Sequence, residues 1–276
     1  MKCISLLLIT GVLALASFGQ NVSSRKETLT FINSLIRKNF YGVIKFKKPG
    51  GAFAYKDVPG MNINDKYFLT CYHLMLTSDS EKFVSMKLYY RNDYRRGRMD
   101  SLTLIKDAAQ YKKILQSKRT YDQSDYSTDY ILIPVKEKIK ADKLNFDSTA
   151  LRTGDTTYAM GSYLNKLMMS RFEVLYEDKA CESCRAEFVF LLGPDRYGFP
   201  GSPVFNTDGS VVGMVQFAIE KDIEEFFYKK LKANKISFLQ YRRIIKQYYG
   251  EGAKATCFIK INYLLKKLIT ERPDKR

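Results

Sequence analysis

The sequence predicts an all-β fold built as two barrels with a cleft between them. Three observations point there. Short apolar runs recur along the chain with turn signals between them. A polar link over residues 140–152 divides these runs into two sets. Within the second set, residues 198–215 combine a Gly/Pro turn, an apolar strand, an Asp-Gly hairpin and a second apolar strand. A chain of 276 residues with 45% apolar content can bury a full core, as one domain or two small ones.

Residues 1–19 read as a secretory signal peptide. Lys2 opens it, Ile4 to Leu15 is its apolar body, and Ala16-Ser17-Phe18-Gly19 is a small-residue exit. The apolar run is too short for a membrane span, and no later stretch reaches the length needed. No cysteine stands at the cleavage point, so no lipid anchor is indicated. The expectation is a soluble, exported chain, periplasmic or extracellular, with no transmembrane span.

Residues 20–40 form an N-terminal helical segment. Leu29, Ile32, Leu35 and Ile36 share one helical face, expected to pack on the outside of the body. The first barrel occupies residues 41–145. Tyr41 to Tyr55 is a hairpin turning at Gly50-Gly51, Lys66 to Leu76 is strongly apolar, and Val84 to Tyr90 alternates. A charged loop over 91–98 leads to a strand at Leu102 to Ile105, and Tyr130 to Val135 is a further apolar run.

The second barrel spans residues 146–276, its strands beginning at Thr156. Residues 220–250 break the β rhythm. Ile223, Phe226, Phe227 and Leu231, then Phe238, Tyr241, Ile245 and Tyr248, recur at helical spacing and predict two inserted helices. Ser237 with Gln240 has the form of a capping box, and Gly250 is a natural stop. A strand over Thr256 to Ile261 and a helix over Asn262 to Ile269 close the chain.

Cys3 leaves with the signal, so Cys71, Cys181, Cys184 and Cys257 remain for an oxidising compartment. Cys181 and Cys184 are the disulfide candidate, and they could also form a redox pair or half a zinc site. Zinc is poorly supported, because His73 is the only histidine and no second Cys-x-x-Cys occurs. A structural role is expected for all four, with no metal and no cofactor. The formal charge of +17 allows anionic partners, an envelope surface or polymer among them, although a role in solubility is the weightier expectation. Its cations are interleaved with acids and no nucleic-acid-binding motif is present, so no specific nucleic-acid binding is expected.

Three segments now align, in order, with one family. Tyr67-Phe68-Leu69-Thr70-Cys71-Tyr72-His73 resembles the Phe/Val-Leu-Thr-Ala-Ala-His corner of trypsin-like (chymotrypsin-fold) serine peptidases. Thr128-Asp129-Tyr130-Ile131-Leu132-Ile133 resembles their Asp-Leu-Ala-Leu-Leu strand, and Gly198 to Val204 their Gly-Asp/Asn-Ser-Gly-Gly/Ser-Pro-Val/Leu turn. Gly154 to Gly161 and Phe258 to Leu264 are similar to segments of the HtrA-like branch. The resemblance runs from about Tyr41 to the C-terminus, interrupted by the insert. It implies two antiparallel six-stranded β-barrels with the active cleft between them.

The resemblance also implies roles. His73 is the expected general base, and Asp129 the acid that holds its tautomer, with Asp125 a nearby rival. Gly198 is an expected oxyanion donor. The family's nucleophilic serine, however, falls on Pro200. Proline has no hydroxyl to attack with and no N–H for the oxyanion; one lost donor costs about 3–4 kcal/mol of transition-state stabilisation. Phe199 replaces the Asp or Asn that shapes the oxyanion loop. Ser202, two residues on, is the alternative nucleophile. Val215, Gln216 and Phe217 lie on the strand that pairs with substrate backbone, and Asp195 lies near the pocket floor. The expectation is an exported peptidase homologue without serine-protease activity, binding a protein or peptide in the cleft. The alternative is an active endopeptidase using Ser202, His73 and Asp129.

Overall fold

The computed structural model describes residues 22–38, 40–93, 98–118, 121, 128–137, 139, 142–149, 151–163, 166–178, 188–194, 199–219, 223–251 and 253–270. The first half is a curled antiparallel sheet of six strands: β1 (Phe40–Lys47), β2 (Phe53–Ile63), β3 (Tyr67–Thr70), β4 (Lys82–Asp93), β5 (Arg98–Ile105) and β6 (Ile131–Pro134), in the order β5-β4-β1-β2-β3-β6. Gly50 and Gly51 turn the β1–β2 hairpin at φ 89° and 93°, a region open to glycine and costly for residues with a Cβ. Phe40, Ile44, Val58, Phe68, Met86 and Leu88 fill the concave side.

The sequence pattern left one element of this half unassigned, the helix α3 (Ala108–Ser117), which follows α2 (Tyr72–Met75) in the chain. Its cap is readable in retrospect. Asp107 accepts from the Gln110 N–H at 2.8 Å while the Gln110 side chain accepts from the Lys106 N–H at 2.9 Å. The helix buries Tyr111 and Ile114, and the Tyr111 ring stacks on Phe83 at 4.2 Å.

The second half is a closed six-stranded antiparallel barrel. Its strands are β7 (Thr156–Tyr163), β8 (Lys166–Asp178), β9 (Phe188–Pro194), β10 (Pro203–Phe205), β11 (Val211–Ile219) and β12 (Ala253–Lys260), in the order β10-β11-β12-β9-β8-β7. Phe172, Val174, Val204, Val212, Val215 and Phe258 fill it. The strand at the N-terminal side of α6 (Ile261–Thr270) ends at Lys260, one residue before the expected boundary.

The predicted insert forms two helices, α4 (Ile223–Lys232) and α5 (Phe238–Glu251). The α5 cap is the one read from the sequence: Gln240 N–H donates to Ser237 Oγ at 3.2 Å, and Ser237 N–H to Gln240 Oε1 at 2.8 Å. Gly250 does not stop the helix, which runs one residue further to Glu251.

The N-terminal helix α1 (Val22–Arg37) packs on the body through Ile32, Leu35 and Ile36. Leu35 is fully buried, and Ile32 and Ile36 join a core that both halves share with Leu69, Met160, Phe205 and Met214. Phe227 and Ile244 of the insert and Leu264 of α6 enter the same cluster. Lys38 then donates to the Gly209 carbonyl at 2.9 Å, tying the end of α1 to the β10–β11 hairpin. No helix among the described residues is long and apolar enough to cross a membrane.

Candidate active site

Antiparallel pairing of β3 with β6 sets Thr70 opposite Ile131. The chain leaving β3 turns at once into α2, which carries His73. The chain entering β6 carries Asp129 two residues before Ile131. Register alone therefore brings residues 56 positions apart to one edge of the sheet.

There the contact is double. Asp129 Oδ2 lies 2.6 Å from His73 Nδ1, and Asp129 Oδ1 accepts from the His73 backbone N–H at 2.9 Å. The second bond fixes the carboxylate, so the first can fix the ring and its Nδ1–H tautomer. Asp129 is buried, whereas the His73 side chain remains 38% exposed. The imidazole can thus meet a ligand while its partner stays out of water. Asp125 lies outside the described residues.

Behind this pair sits Cys71, fully buried, its thiol 3.4 Å from the Val215 carbonyl and 3.8 Å from Gln216 Oε1. Burial, and then the nearby Asp129 carboxylate, push this thiol well above its ordinary pKa. Donor atoms of Cys71, His73 and Asp129 lie within 4.8 Å of one another. That set suits a soft cation in kind. Both Asp129 oxygens, however, are already engaged by His73. Cys71 and Cys257 are both free thiols, and both are buried. Cys181 and Cys184 lie outside the described residues.

The second barrel contributes the turn before β10. Phe199 is buried and meets Phe172 edge-on at 5.9 Å, so its ring is a core residue of that barrel. Pro200 follows, partly exposed. Gly201 takes φ +85°, and a Cβ there would lie 2.3 Å from the Pro59 carbonyl oxygen and 2.7 Å from Thr70 Oγ1. Only glycine lets the turn press so closely on the first half. Gly198 and Asp195 lie outside the described residues.

Ser202 is sealed into this junction. Its N–H donates to the Phe199 carbonyl at 2.8 Å, and its carbonyl accepts from the Val215 N–H at 2.9 Å. Its Oγ is buried and has no hydrogen-bond partner among the described residues, His73 included. Val215 is committed at both ends, since its carbonyl accepts from the Gly201 N–H at 2.8 Å. The Gln216 side chain is also fully buried, with Nε2 unpartnered, at an irregularity in the β11–β12 ladder. Phe217 pairs with Cys257 in that ladder. Because β10 reaches only as far as Met214, β11 beyond Val215 has no ladder partner on that side among the described residues.

Comparison with known structures agrees with this architecture. The HtrA-type protease AlgW with a decapeptide superposes at a TM-score of 0.53, with 12% identity over 87% of this chain and 66% of that one. The Rv3671c protease from M. tuberculosis in its active form gives 0.52, at 12% identity over 87% and 82%. Deg5 gives 0.50, at 13% identity over 72% and 87%. At such identities the likeness speaks for the double-barrel fold alone. No curated protein sequence matches the chain. A family model described as a trypsin-like peptidase domain matches residues 59–214, more than half of the sequence and the whole stretch from His73 to Ser202, and the chain belongs to that family.

Proposed function

We propose that this chain is an exported trypsin-like peptidase homologue that has lost serine-protease catalysis and acts by binding an extended peptide in the cleft. The observation that carries the reading is Pro200 at the position where the family has its nucleophile. A proline there has neither a hydroxyl to attack a carbonyl nor an N–H to hold an oxyanion. Ser202 offers no evident substitute, since its Oγ is buried and makes no hydrogen bond. Phe199, packed into the barrel, leaves the oxyanion turn without the polar residue usual before the serine. The unpaired side of β11 beyond Val215 is suited to adding a peptide strand by β-augmentation. The signal-like residues 1–19 support export.

One observation favours a second reading. The His73–Asp129 pair keeps the geometry that a general base requires, so an active endopeptidase using Ser202 is the competing account. A fluorophosphonate probe separates the two. The first reading expects no labelling of the purified protein and retained binding of extended peptides. Labelling that vanishes in both Ser202→Ala and His73→Ala would overturn it.

A further inference from the structure

The α4–α5 insert has two unlike faces. Phe227, Ile236 and Ile244 are buried in the core shared by the two halves, which anchors the hairpin rigidly. On the other side, Leu239 is 77% exposed, Phe238 59% and Tyr228 45%. These are large apolar groups at and beside the tip where α4 turns into α5. The Tyr228 ring lies 6.2 Å from Tyr241, and Tyr241 is one helical turn from Phe238, so the rings run on from one another.

Charge surrounds this patch. Residues 223–246 carry seven lysines and arginines against two glutamates, a net charge of +5. Lys229 and Arg243 are held by Glu225 and Glu173. Lys232 and Arg242 instead lie over the exposed rings of Tyr228 and Phe238, at 5.3 and 5.9 Å from their centroids. A water-soluble polyanion would be met by the cations alone and would leave Leu239 and Phe238 in water. An anionic bilayer uses both, cations against lipid phosphates and apolar tips below the headgroups.

We infer that the exposed face of the α4–α5 hairpin docks the protein on an anionic lipid surface, with Phe238 and Leu239 inserted into the interface. This rests on the reading that the chain acts by binding, but it involves other residues than those proposed to bind peptide. Peptide binding and vesicle binding are measured independently, so failure of either is distinguishable from failure of the other.

The test is co-sedimentation of the whole protein with vesicles of phosphatidylcholine mixed with phosphatidylglycerol, against phosphatidylcholine alone. Binding is expected only to the anionic vesicles. The double variant Phe238→Ser/Leu239→Ser should weaken it by about tenfold or more, and Lys232→Gln and Lys235→Gln by about fivefold each. All four positions are exposed, and unchanged thermal melting confirms that the fold is kept. Leu239→Trp adds a direct reporter, since the chain has no tryptophan: its emission should shift to the blue on anionic vesicles. Equal binding to neutral vesicles overturns the inference, as does binding to heparin without that blue shift. So does a loss of vesicle binding on Phe53→Ser/Tyr55→Ser, an exposed aromatic pair elsewhere on the protein, with none on Phe238→Ser/Leu239→Ser.

Discussion

Two regions meet where the halves join, and they are built to different standards. At the His73–Asp129 corner each acidic oxygen has a donor, at 2.6 and 2.9 Å, and the carboxylate is buried behind a half-open ring. At the turn over 199–202, Ser202 Oγ is buried with nothing to bond, and Gln216 Nε2 beside it is equally unpartnered. The turn is instead optimised for packing, with Phe199 inside the barrel and Gly201 against Pro59. Two neighbouring parts of one junction can therefore rest on different interactions, hydrogen bonds at the His73–Asp129 corner and close packing at the turn.

The sharpest way to break this comparison is to change Pro200. If Pro200 occupies the family's nucleophile position, as proposed, Pro200→Ser supplies a hydroxyl and an N–H there, and it should create fluorophosphonate labelling that the parent protein is expected to lack. Absence of labelling in a folded Pro200→Ser variant would mean that the turn has departed from the family geometry as well as from its residue. Next in size is Gly201→Ala. It combines a left-handed backbone with a methyl driven onto a backbone carbonyl, and should cost about 3 kcal/mol or more in urea unfolding. A loss under about 1 kcal/mol would show that the halves are less closely locked than the Gly201–Pro59 approach indicates.

Asp129→Ala should cost about 1–3 kcal/mol, because the His73 N–H and ring N–H both lose their acceptor. Urea titration checks it. Ser202→Ala runs the other way. Removing a buried hydroxyl that bonds to nothing should leave stability unchanged or raise it by up to about 1 kcal/mol. A marked loss would reveal a bonding role for Ser202 after all.

The smallest effect is in alkali. The Cys71 thiol is held well above its ordinary value of 9.0, first by burial and then by Asp129. The unfolded chain releases that proton near the ordinary value, while the native chain keeps it. This contribution to stability is therefore complete below the unfolded value and declines as pH rises above it. The melting midpoint should fall with pH in that range, and the fall should be shallower in Cys71→Ala. Parallel slopes would remove Cys71 as the cause.

The sequence by itself determined the strand rhythm, the α5 cap at Ser237 and Gln240, the family and the candidate base and acid. These are local patterns: period-two apolar runs, turn residues and short motifs whose chemistry depends on residue type and order. It missed α3, whose ten residues offer few apolar positions at helical spacing. Only the tertiary structure decided the rest. That Leu35 enters a core shared by both halves, that Gly201 is pinned by Pro59, and that Ser202 is buried without a bonding partner all depend on residues far apart in the chain. Burial and close approach are properties of the assembled halves, and no spacing along one strand encodes what the opposite half will bring against it.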